Sequence, residues 1–151
     1  MIDYLENYTK EITVVGFEFS GEYRSGQQTA GTNNIDDINN FDDTSCMRGF
    51  ATGYNGWIIF ELNKEVEFDS LEIGGFRGNT NLYASSNGSG ATIKTSTDKN
   101  TWTTVGNINS GYQNGPYLHS VTQSRAKYVK LEHNSYLGVG YFKVIPLNKK
   151  K

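Results

Sequence analysis

Short stretches of alternating apolar and polar residues recur along the chain, separated by clusters of Gly, Asn, Ser and Asp. That is the pattern of β-strands that bury one face. The first predicted strand is EITVVGFEF (11–19). Positions 20–56 hold few apolar residues and read as a long excursion. GWIIFEL (56–62) follows, with Ile58, Phe60 and Leu62 on one face. VEFDSLEIGGF (66–76) is next, with a break expected at Asp69-Ser70, and GNTNLYASSNGSG (78–90) reads as a loop. ATIKTST (91–97) and TWTTVGNI (101–108) have hairpin spacing around the turn formers Asp98 and Asn100. YLHSV (117–121), AKYVKLEH (126–133) and GYFKVIPL (140–147) complete the set. No helical stripe competes, although DYLENYTKEI near the start suits one short helical turn. With no repeat or linker, residues 1–151 are expected to form a single domain.

Composition fits that reading. Gly is frequent at 17, Pro is rare at 2, and ten Tyr help bring aromatics to 13%. Much of the apolar burial must therefore come from rings. The formal net charge of −2 provides no basic field for nucleic acid. The single cysteine, Cys46, excludes an intrachain disulfide and reads as a small buried hydrophobe. Charges throughout residues 1–15 argue against a signal peptide, and no stretch has the length of a membrane span. A soluble chain is expected, without membrane insertion: on a virion surface, in the cytoplasm, or outside the cell as part of a longer protein.

Four stretches together carry a resemblance. GWIIFEL resembles the W-x-x-x-D-L strand of discoidin domains (coagulation-factor C-terminal-type domains), which are related to family 32 carbohydrate-binding modules. IKTSTDKNTWTTV (93–105) resembles their hairpin, usually a strand ending in Ser, then Asp-Gly, then Trp-Thr and a valine. SRAKYVKLEH resembles their a-R-Y-v-R-l strand, with Lys127-Tyr128-Val129-Lys130 at the motif. NNIDDINNFDDTSC resembles the a-i-D-g…T-x-W loop before the first of these strands. In this order they span roughly positions 33–146. The resemblance implies an all-β, galactose-binding-domain-like jelly-roll sandwich of about eight antiparallel strands, whose loops at one end bind sugars, lipids or proteins.

The chain departs from the pattern at Cys46, where the motif has tryptophan, and at Glu61, where it has aspartate. The family also implies a structural calcium. Asp42, Asp43 and Thr44 supply some hard oxygen ligands for it. Lys143 stands near the place of the family's C-terminal glutamate, and no Asp or Glu follows Glu132, which counts against calcium. No other cofactor is expected.

Arg77 opens a glycine-bearing loop at the place where the resembling sugar-binding modules carry a ligand-binding arginine. Sugar recognition needs planar groups with several donors and an aromatic face. Arg77, Asn79 and Asn81 supply the first; Tyr83, Tyr54, Tyr112 and Tyr117 are candidates for the second. Trp102 reads as a ring packed in the sandwich with Val105 near it, in preference to a ligand platform. The three-residue separation of the two then requires a bulge or an edge-on ring. His133 reads as a strand-end histidine; His119 alternates with Leu118, so that one of the two faces solvent. The pairs Asp36-Asp37 and Asp42-Asp43 read as solvated loop charges or metal ligands ahead of acid–base catalysts. No nucleophile constellation or phosphate loop is visible, so an enzyme is not expected. The function expected is a non-catalytic, lectin-like carbohydrate-binding module with a glycan or other surface ligand as partner. The alternative is a structural or assembly protein, such as a bacteriophage virion decoration or tail-associated protein, that makes protein–protein contacts.

Overall fold

The computed structural model describes residues 12–19, 50–51, 56–74, 91–108, 117–134, 138–139 and 141–147. Eight strands lie within these residues: β1 (Val14–Phe19), β2 (Phe50–Ala51), β3 (Trp57–Gly74), β4 (Thr92–Ser96), β5 (Thr103–Asn107), β6 (Tyr117–Glu132), β7 (Gly138–Val139) and β8 (Tyr141–Pro146). All the pairings among them are antiparallel.

The frame is a ribbon of two long strands, β3 and β6. Two pairs of expected strands, 56–62 with 66–76 and 117–121 with 126–133, are here continuous. Register is lost between the pairs Glu61–Tyr128 and Val66–Ala126, where residues 62–65 of β3 face residue 127 alone. This irregularity divides the ribbon into two halves. The first half carries β1 on one side and β4 then β5 on the other; the second half pairs with β8. Phe60 of the first half stacks on Phe142 of β8, with ring centroids 4.3 Å apart and planes 13° from parallel. Phe142 registers with Ile73 in the second half. The stack therefore brings the two halves face to face as the layers of a β-sandwich.

Strand alternation fills the space between them. Ile58, Phe60, Val129, Leu131 and Ile93 from the first layer are fully buried, as are Phe68, Leu71, Ile73 and Phe142 from the second. Each such side chain stabilises the fold by about 1.5–3 kcal/mol relative to exposure. Phe68 and Leu71 are three apart, yet both point inward. The register shift between Phe68 and Ser70 makes this possible, at the site of the expected break, and the strand continues through it. A second shift, between Val14 and Gly16, leaves Val15 52% exposed on edge strand β1. Asn63 fastens the start of that strand: its N–H donates to the Thr13 carbonyl at 2.9 Å, and its Oδ1 accepts from the Thr13 N–H at 3.2 Å.

Among the described residues, strands β2 and β7 pair only with each other. They were not expected from the sequence, because two residues are too few to show a period.

Candidate functional site

The outer face of the first layer is built from the residues that alternate with the core. Pairing aligns Trp57 with Glu132 and Thr92; Ile59 with Glu18, Lys130 and Lys94; and Glu61 with Gly16 and Tyr128, which is also opposite Ser96. Such cross-strand neighbours lie close enough to interact.

Two features occupy this face. The first centres on Lys130. Its Nζ lies 5.6 Å from the Trp57 ring centroid and 5.3 Å from that of Trp102, and it makes a 3.0 Å ion pair with Glu132. Lys94 reaches the other oxygen of the same carboxylate at 2.9 Å. Burial pushes the Glu132 carboxyl up, but the two ammoniums overcome this and hold it below its ordinary value. This arrangement corrects the expected place of Trp102. Val105 enters the core at 5% exposure, through a bulge where Ile93–Gly106 gives way to Lys94–Thr104. Trp102 precedes β5 and lies half-buried on the outer face, against the charge of Lys130. Its ring is thus on the other side of the sheet from the core that was expected to hold it.

The second feature is an open groove of about 170 Å³ lined by Gly16, Phe17, Glu18, Ile59, Glu61, Lys99 and Tyr128. Lys99 reaches it from the β4–β5 turn. Asp98 organises that turn: its Oδ1 accepts from the N–H groups of Asn100 and Thr101, both at 2.8 Å, and from the Ser96 hydroxyl at 3.0 Å. The Thr101 and Asn100 amides, then the Ser96 hydroxyl, hold the Asp98 carboxyl below its usual value. The Ser96 Oγ in turn accepts from the Lys99 N–H at 2.8 Å. Lys99 has φ 69°, the left-handed region that glycine enters most readily. It stands where the hairpin motif has glycine. Its side chain crosses the sheet to pair with Glu18 on β1, with Nζ 5.7 Å from the Tyr128 ring centroid. Glu61 pairs with Lys127 at 3.4 Å. Exposed pairs of this kind are screened by solvent and contribute little to stability.

Of the expected ligand-binding residues, only Tyr117 lies within the described part. It is 44% exposed at the start of β6, opposite Ile73 in the second half of the ribbon, whereas the groove is on the first. Its neighbour Leu118 is 64% exposed and His119 half-buried, as the alternation suggested. Arg77, Asn79, Asn81, Tyr83, Tyr54 and Tyr112 lie outside the described residues, as do Asp42, Asp43, Thr44 and Cys46. Among the described residues no three His, Cys, Asp or Glu gather into a metal site. Glu132 is committed to two ammoniums, and Lys143 lies opposite Glu72. His133 follows directly on β6, its N–H bonded to the Gly56 carbonyl at 2.9 Å; burial lowers its pKa and that of His119. No described helix is long and apolar enough to cross a membrane. Sequence reasoning missed the groove, and the signal available for it was a lysine at a glycine position of the hairpin.

An antiparallel sandwich with these pairings is a jelly roll of the galactose-binding kind. Residues 17–143 match the F5/8 type C domain, and the chain belongs to that family. No curated protein matches it. Among solved structures, it is similar to a pectin-binding carbohydrate-binding module at 18% identity and TM-score 0.65, covering 89% of this chain and 92% of that one. The C-terminal domain of a chitobiase from Bacteroides fragilis is similar at 18% identity and TM-score 0.64, with 92% and 95% covered. A CBM32 module from Clostridium perfringens, solved in complex with GalNAc-β-1,3-galactose, is similar at 14% identity and TM-score 0.60, with 86% and 94% covered. At these identities the likeness is one of fold.

Proposed function

We propose that this domain is a non-catalytic carbohydrate-binding module. The observation that carries the reading is the fold, shared over 89% of the chain with a module that binds pectin and over 86% with one solved holding a disaccharide. The contacts proposed are Arg77, Asn79 and Asn81 as hydrogen-bonding groups and Tyr83, Tyr54, Tyr112 and Tyr117 as ring faces, chosen for residue type and for the Gly- and Asn-rich stretches around them. A rigid sandwich presenting variable loops suits recognition without chemistry.

A glycan array followed by calorimetry tests this. Saturable binding of a sugar, weakened at least tenfold by Arg77→Ala, is expected. No binding to any glycan at millimolar concentration, with Arg77→Ala indistinguishable from the parent, would refute it.

The second reading, an assembly block of the virion-decoration or tail-associated kind, draws support from one observation. Leu118 is 64% exposed beside the exposed Tyr117. Size-exclusion with light scattering separates the two readings: a strict monomer at high concentration removes the second.

A further inference from the structure

The groove on the outer face of the first layer differs from the loops in kind. It is made of strand residues from β1, β3 and β6 and one residue of the Asp98 turn. Its floor is Ile59, buried at 8% exposure on the face away from the main core. Its depth depends on Gly16, where a Cβ would come 3.1 Å from Glu61 Oε1. Four residues with polar groups share the lining with Ile59, namely Glu18, Glu61, Lys99 and Tyr128, and the Lys99 ammonium lies against the Glu18 carboxylate and near the Tyr128 ring. An apolar floor with a few convergent polar groups is the usual make-up of a small-ligand site.

The size and charge of the groove restrict the ligand. A volume of about 170 Å³ is close to the roughly 150 Å³ that holds one benzene ring, and well below the roughly 300–1,000 Å³ of sites for larger ligands. The lining holds two carboxylates and one ammonium; Glu18 is matched by Lys99 within it and Glu61 by Lys127 from outside it, so each carboxylate is neutralised by a partner and leaves little charge to select an ion. Carboxylate oxygens paired to one ammonium retain lone pairs for further donors, and an ammonium has three donors to share. Adjacent hydroxyls on a small ring fit such a set, with the C–H face of the ring against Ile59 and Tyr128.

We infer that this groove is a second sugar site, taking one neutral saccharide ring on the face of the sheet. The ligand class rests on the carbohydrate reading above; the position of the site does not. An open, single-ring site binds weakly, with Kd on the order of 1 mM.

Amide-resolved NMR titration of the full chain tests it, with galactose, N-acetylgalactosamine and glucose as neutral probes and glucosamine and galacturonate as charged ones. A neutral sugar should shift the amides of Gly16, Glu18, Glu61 and Tyr128 saturably. Gly16→Val, which fills the groove, should weaken those shifts at least tenfold and leave any shifts in 77–83 in place. Lys99→Gly, which relieves a left-handed residue and leaves the strands intact, should weaken them as well and covers the case in which Gly16→Val does not fold. Shifts confined to 77–83 and 110–117 would overturn the groove and leave the loop reading standing. Preferential binding of a charged probe in the groove would overturn the neutral class. No shift with any sugar would overturn the groove and count against the loop reading too.

Discussion

The first half of the β3–β6 ribbon has two faces made from the same strands. On the inner face Ile58, Phe60, Val129 and Leu131 are fully buried, and their partners are one another and the opposite layer. On the outer face Trp57, Lys130, Glu132, Tyr128 and Glu61 are partly exposed. They are held by long-range charge and ring contacts with hairpin, edge strand and neighbouring strand. The inner face is held by one non-directional interaction shared among many apolar groups. The outer face depends on pairs, each charge having one or two particular partners. Stability should therefore reside on the inside and recognition on the outside, and substitutions on each side can break or sharpen that division.

The largest effect is expected from Phe60→Ala, which deletes a fully buried ring from the stack between the layers. Such truncations cost about 3–5 kcal/mol, or a melting temperature lower by roughly 10 °C or more, read by circular dichroism. A loss as small as that of an outer-face variant would show that the stack does not join the layers.

Next comes Lys130→Ala. It removes the cation between two indoles and its packed stem, and leaves Glu132 to Lys94 alone. About 1–2 kcal/mol should be lost. Lys130→Arg, which keeps charge and stem, should recover most of it. If Lys130→Ala proves neutral in urea unfolding, the cluster is an ornament of the sheet.

Acid should act in two windows. His119 and His133 have folded pKa values below histidine's ordinary 6.5, because burial disfavours their charged forms. The unfolded chain then binds more protons, so stability is full above 6.5 and falls as pH drops from there through the lowered folded values. Asp98 and Glu132, also lowered, contribute stability above the ordinary carboxylate range that is lost as pH falls through their folded values. Urea midpoints should therefore fall modestly between pH 7 and 5, and again below pH 4. His119→Gln with His133→Gln should flatten only the first step.

The smallest effect on stability is expected from Lys99→Gly. It relieves a left-handed residue but gives up an exposed ion pair and adds backbone freedom, so the melting temperature should stay within about 2 °C. A large loss would show that the Lys99–Glu18 bridge holds the hairpin to the edge strand.

The same division explains what could be read in advance. Period-two alternation placed Ile58, Phe60 and Leu62 on the buried face, and the Asp98 turn followed from residue type. The continuity of β3 and β6 did not follow, because polar Asn63-Lys64-Glu65 looks like a connection and acts as a bend within one strand. The position of Trp102 also escaped. Its partner, Lys130, is distant in sequence, and no local period reports a contact across two strands. Lys99 and Glu18 are further apart still, at 81 positions along the chain. The residues from Arg77 to Tyr83 were proposed from the resemblance and from residue type alone, since their sequence carries no period to read.

One consequence concerns spectroscopy. The chain has two tryptophans, and both rings lie against the ammonium of Lys130. The indole emission of the whole protein thus comes from one spot on the outer face. A sugar entering the neighbouring groove, or any event that moves Lys130, has a native optical reporter beside it. Events at the distant end of the sandwich are silent in that signal unless the sheet itself carries them there.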